Sequence, residues 1–131
     1  MTTAKATFEI KSWEEKTYDE ANGRPKLTRA SVKKTFHGDL NGESNVEYLM
    51  SYAKDGSASF VGLERFVGSV GGRSGSFVFQ HDGTFINGVA KDRYVVVPNS
   101  ATEDLVGIRG QGEMSMGHAQ NYPMQFEYSF E

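Results

Sequence analysis

The chain has 131 residues, no cysteine and a formal net charge of −3 with a pI near 5.6. Such a length buries one core, so residues 1–131 read as a single domain, and without cysteine neither a disulfide framework nor a thiolate metal site can form. The acidic balance runs against nucleic acid as a partner, because neutralising phosphates takes a basic face.

No apolar window is long enough to span a bilayer, so no membrane partner is expected. The opening MTTAKATFEIKSW lacks the basic segment and apolar run of an export signal, and the expected location is cytoplasmic.

In chain order, Ala4, Ala6, Phe8 and Ile10 alternate with Lys5, Thr7, Glu9 and Lys11, the two-residue repeat of a half-buried strand. The next strand, Thr28 to Phe36, carries Arg29 and Lys33 on one side and Lys34 on the other. Charges divided over two faces predict a solvated strand rather than an anion-binding surface. Val46 to Ala53 follows, with Tyr48, Met50 and Tyr52 on one face, as either barrel core or the wall of an apolar pocket.

The strand Ser59 to Val67 differs from the first. Phe60, Glu64 and Phe66 share one face, while Val61, Leu63, Arg65 and Val67 share the other. Both faces are predicted to be buried, one in the interior and one against a second layer, a loop or another copy, which makes a homo-oligomer the expectation. Gly75 to Gln80 repeats the pattern with Phe77, Phe79 and His81 opposite Val78 and Gln80. Thr84 to Ala90, Arg93 to Val97 and Leu105 to Met116 come next, and Ser100 to Leu105 offers at most one helical turn.

The chain closes on Met124, Phe126, Tyr128 and Phe130 alternating with Gln125, Glu127, Ser129 and Glu131. Asn22-Gly23, Asn41-Gly42, Asp55-Gly56, Gly71-Gly72, Asp82-Gly83 and Asn87-Gly88 are pairs that supply the positive φ of tight hairpins. Short strands so punctuated, with wet-faced strands at both ends suited to mutual pairing, predict an all-β fold. The architecture is an antiparallel up-and-down β-barrel, closed by its terminal strands.

Several ordered motifs are similar to a family of small, uncharacterised, mainly bacterial proteins of unknown function whose barrel resembles allene oxide cyclase. They are Gly62-Leu63-Glu64-Arg65-Phe66, Gly72-Arg73-Ser74-Gly75-Ser76-Phe77, Gln80-His81, Gly83-Thr84-Phe85, Val96-Val97-Pro98 with Ser100, and Leu105-Val106-Gly107-Ile108-Arg109-Gly110. This chain has Ser100-Ala101-Thr102 where family members commonly read Ser-Gly-Thr. The resemblance implies an all-β, closed antiparallel up-and-down barrel of about eight strands, lipocalin-like or calycin-like in general shape, with an interior cavity, and supplies no activity.

Ionisable groups in otherwise apolar strands are costly unless paired or used, which singles out the candidate site residues. Glu64, between Phe60 and Phe66, would have a raised pKa if unpaired and serve as a proton donor or acceptor. The plainer alternative pairs it with Arg73 or Arg109. His81, beside Phe77 and Phe79, is a candidate acid or base and equally a packing residue.

Gln80 and His81 cannot both face one cavity without a bulge, so whichever faces inward with Glu64 is the better candidate. Arg109, Arg73, Gln80, Tyr48, Tyr52, Phe66 and Phe79 complete the ligand-binding candidates. His37, His81 and His118 lack ligand spacing, so no metal is expected, and no cofactor signature occurs. The Gly71 to Ser76 run lacks the Lys and helix of a phosphate loop, and no nucleophile elbow is present.

Three functions fit these residues. The first is a barrel that binds a small, mostly apolar or amphipathic ligand in its interior. The second is an enzyme of cyclase or isomerase type using Glu64 with Arg109 or His81. The third is a structural or interaction module with a filled barrel.

Overall fold

A computed structural model describes all residues, Met1–Glu131. Nine antiparallel strands carry nearly the whole chain: β1 (Thr2–Asp19), β2 (Lys26–Gly38), β3 (Leu40–Tyr52), β4 (Ala58–Val70), β5 (Arg73–Ile86), β6 (Val89–Val96), β7 (Thr102–Glu103), β8 (Ile108–Met116) and β9 (Tyr122–Phe130). The sheet order β4-β3-β2-β1-β9-β8-β6-β5, with β4 also paired to β5, closes eight strands into a barrel and leaves β7 as a short addition on β5. The terminal strands meet as the sequence predicts, Thr2 opposite Tyr128 and Phe8 opposite Tyr122.

Four of the six turn pairs lie in turns, and two do not. Asn41-Gly42 lies inside β3 and Asp82-Gly83 inside β5, so the two segments read as Gly75 to Gln80 and Thr84 to Ala90 are mostly one long strand, which ends at Ile86. At Gly83 a Cβ would collide with the Lys91 carbonyl oxygen and crowd the Phe60 ring, so this glycine serves close approach inside a strand instead of a turn. The Ser100 to Leu105 segment forms β7 and a turn instead of helix.

Alternation fixes the inside of the barrel. Its two ends are built differently. Leu40, Phe66, Val70, Phe77, Phe79, Val96, Ile108 and Phe126 pack into one cluster, and Leu105, fully buried, plugs that end from the loop between β6 and β8. Toward the other end lies a smaller cluster of Ala30, Val32, Val46, Tyr48, Met50, Ala58 and Phe60.

There β1 outruns the barrel. A register shift between Ile10 and Ser12 lets Ser12 to Asp19 continue as a hairpin with β2 after β9 has ended its pairing at Phe8. The bulge also swaps the inward set, so that Trp13 stacks on Tyr48 with ring centroids 6.1 Å apart.

Neither a second layer nor a loop of the same chain covers the outward face of β4. Val61, Leu63 and Val67 are exposed on the single chain, as is Leu49, which pairs with Val61 across β3. No helix is long and apolar enough to cross a membrane.

Candidate functional site

Midway along the barrel, between the plugged and open ends, four ionisable side chains from four strands point inward: Lys34 of β2, Glu64 of β4, His81 of β5 and Asp92 of β6. All are at most 5% exposed. His81 stands at the centre of a line, its Nε2–H donating to Glu64 Oε1 at 2.6 Å and its Nδ1–H to Asp92 Oδ2 at 2.8 Å. Both ring nitrogens therefore face carboxylate acceptors, which is the arrangement of a doubly protonated imidazolium.

Lys34 Nζ donates to the Tyr48 hydroxyl at 3.3 Å and to Glu64 Oε1 at 3.5 Å, and it sits 4.7 Å from the centroid of the Phe8 ring. The Ser44 hydroxyl donates to the second oxygen of Glu64. No buried polar side-chain atom is left without a partner.

The electrostatics follow from this enclosure. Burial alone would raise the Glu64 carboxyl, but the Lys34 ammonium and the His81 ring outweigh it and hold the group down at about 2. Burial likewise opposes charge on Lys34 and on His81. For Lys34 the Glu64 carboxylate prevails and its pKa is raised; for His81 the hydrogen bonds to Asp92 and Glu64 prevail, with the same result. Burial pushes the Tyr48 phenol up to about 12, so it stays a neutral hydroxyl.

Above this cluster, toward the open end, lies a cavity of about 330 Å³. Its walls are apolar, from Phe8, Ile10, Trp13, Tyr48, Met50, Phe60, Phe85, Ala90, Met116 and Tyr122, and Lys34 and Asp92 are its buried charged lining. At the mouth a second polar knot holds the β1 extension in place: Tyr52 and Thr28 hydroxyls donate to Glu15 Oε2 at 2.6 and 2.7 Å, and Trp13 Nε1 donates to Oε1 at 3.0 Å. A larger groove of 660 Å³ runs along the outer wall past Gln80, Arg93, Glu113 and Glu127, but only three of its thirteen lining residues are hydrophobic, so the interior cavity is the better candidate.

The sequence candidates divide accordingly. Glu64 and His81 meet, and of the two neighbours left open by the sequence it is His81 that faces inward, without any bulge, Gln80 being on the exposed wall. Tyr48 lines the cavity and Tyr52 serves the knot at its mouth. Phe66 and Phe79 lie in the plugged end, away from the cavity lining.

The expected arginine partner of Glu64 is corrected to Lys34. Arg109 points outward and pairs with Glu131 at 2.9 Å, and Arg73 lies on the outside over the Phe130 ring at 4.0 Å. Both follow from the pleat, since Arg109 alternates with the buried Ile108 and Arg73 sits at the exposed start of β5. Glu64, paired on both sides, accordingly has a lowered pKa where an unpaired carboxyl would have a raised one.

Lys34, Asp92 and Ser44 were missed by sequence reasoning, though a signal existed. Lys34 shares its face with Ala30, Val32 and Phe36, and Asp92 shares its face with Ala90, Tyr94 and Val96. A lone charge on an apolar face is the mark of a buried group, and it outweighs the count of charges along the strand.

Fold and site together define a closed antiparallel β-barrel that is plugged at one end, open at the other and crossed at its middle by a buried ion cluster. The chain belongs to the DUF3224 family of proteins of unknown function, whose model matches residues 4–128. It is similar to a crystal structure of a DUF3224 family protein of unknown function from Shewanella oneidensis MR-1, with 32% identity over 100% of this chain and 98% of that one and a TM-score of 0.86. No curated protein matches the chain.

Proposed function

We propose that the protein binds a small, mostly apolar molecule in the open end of its barrel, with the ligand's polar group at Lys34 and Asp92. The observation that carries this reading is a cavity with ten hydrophobic residues among its fifteen lining residues, into which two fully partnered but not saturated ionic groups are set. A filled barrel would give the polar cluster no void to face. An apolar enclosure with a few fixed polar groups is the usual form of a small-molecule site.

The cyclase or isomerase alternative asks more of these residues. A proton donor or acceptor works best with a pKa near the working pH. Glu64 is held at about 2 and Lys34 is shifted up, each kept charged by the other. That favours a rigid recognition floor over a proton-transfer pair.

Trp13 is the only tryptophan in the sequence and lines the cavity, so its emission reports occupancy. Titration with Nile red, an uncharged apolar dye, should quench Trp13 saturably. Ala90→Trp, which puts an indole into the cavity from its wall, should abolish the dye's own enhanced emission. A dye that binds wild type and Ala90→Trp equally would place the ligand elsewhere and defeat the reading.

A further inference from the structure

The charge balance beneath the cavity restricts the head group of its ligand, an inference that rests on the binding function proposed above. Lys34 and the doubly protonated His81 contribute two positive charges, and Glu64 and Asp92 two negative ones, so the cluster is neutral as a set. A carboxylate or ammonium added beside it would be an unmatched charge where Lys34 is 5% and Asp92 3% exposed, a costly placement.

What the cluster leaves open is neutral hydrogen bonding. An ammonium has three N–H donors, and Lys34 uses two of them, both in long bonds. Both oxygens of Asp92 share one N–H of His81, which leaves carboxylate lone pairs over.

We propose that the cavity takes an uncharged amphipathic alcohol or phenol, whose hydroxyl accepts from Lys34 and donates to Asp92 while its apolar body lies against Trp13, Met50, Phe60 and Tyr122. A hydroxyl is the smallest group that both accepts and donates. An ether or ester only accepts, and it would bury the remaining Asp92 lone pairs without a donor. Sites built to hydrogen-bond a hydroxyl reject analogues that lack it far more strongly than apolar pockets reject a change of size.

The test is displacement of Nile red near neutral pH by four molecules of matched chain: 1-octanol, octyl methyl ether, octanoate and octylammonium. Octanol is expected to compete at least about tenfold better than each of the others, the loss that follows from leaving a buried donor or acceptor unpaired. The ether is the decisive control, because it is more apolar than the alcohol and simple partitioning would rank it first. Ether equal to or better than octanol, or octanoate equal to octanol, overturns the proposal.

A variant sharpens the result. Lys34→Met removes the ammonium that chiefly holds Glu64 ionised, so the competition is repeated up to mildly alkaline pH, where Glu64 gives up any proton it has gained and the floor is net negative. Octylammonium should then gain at least about tenfold relative to octanol by taking the lost cation's place. An unchanged order in a variant that still binds Nile red overturns the proposal, and if Lys34→Met does not fold, the wild-type order decides alone. If Nile red itself fails to bind wild type, the cavity reading falls and this inference with it; if Nile red binds and octanoate is preferred, only this inference falls.

Discussion

The two ends of the barrel are built from the same alternating strands yet do opposite things with their interior. At the plugged end Phe36, Phe66, Phe77, Phe79 and Phe126 fill the space edge to face, and Leu105 seals it. At the open end Ala30, Val32 and Ala58 sit beside Tyr48, Met50 and Phe60, and together with Phe8, Trp13 and Tyr122 the larger side chains wall a void instead of filling the bore. The difference separates stability from function: the phenylalanine end supplies packing, and the ion cluster between the ends is held by that packing while facing the void.

The largest effect should come from breaking the cluster itself. Lys34→Met leaves the Glu64 and Asp92 carboxylates with His81 as their one buried cation, and removal of one partner from a buried ion set costs about 3–5 kcal/mol. Urea unfolding followed by circular dichroism should show that loss. A variant as stable as wild type would mean that water reaches the cluster and that the enclosure described above is wrong.

Leu105→Ala at the plugged end should cost slightly less, about 2–5 kcal/mol for a buried leucine and the cavity it leaves. Its diagnostic feature is separation, since Nile red affinity at the far end should be unchanged. Phe85→Ala lies at the opposite extreme. Phe85 is 40% exposed at the rim of the cavity, so stability should change by less than about 1 kcal/mol while dye affinity falls. If Leu105→Ala impaired binding and Phe85→Ala did not, the contrast between a structural end and a binding end would fail.

This contrast was only half legible in the sequence. Period-two alternation over Ala4 to Ile10 and Met124 to Phe130 was enough to give the barrel and its closure through the terminal strands, and over Phe77 to His81 it put His81 and Gln80 on opposite faces without saying which is inside. The glycine pairs misled at Gly42 and Gly83, because a glycine admitted for close backbone approach within a strand looks the same in one dimension as a glycine admitted for positive φ in a turn.

The partner of Glu64 was beyond reach for a different reason. Lys34 and Glu64 lie on strands separated by β3, and they meet only because of how the registers of β2, β3 and β4 are staggered around the barrel. The choice among Lys34, Arg73 and Arg109 needed that stagger, although the apolar company of Lys34 already marked it as the one facing inward.

The smallest expected effect tests whether the cluster is the ionic set described, through the pH dependence of stability. The groups facing His81 are Glu64, Asp92, Lys34 and the rings of Tyr48 and Tyr94. His81 has a pKa raised in the folded state, so its contribution is fully present below the unfolded value of about 6.5 and is lost as pH rises through the folded one. Glu64 has a lowered pKa, so its contribution is present above the unfolded value of about 4.3 and is lost as pH falls toward about 2. Tyr48, at about 12, and the still more basic Lys34 do not titrate between those limits. Urea midpoints should therefore be highest between the two losses and fall on the alkaline side as His81 discharges. In His81→Asn that alkaline fall should disappear while the acid limb through Glu64 remains, whereas a fall that persists in the variant would assign it to a group outside the cluster and remove the case for a doubly protonated His81.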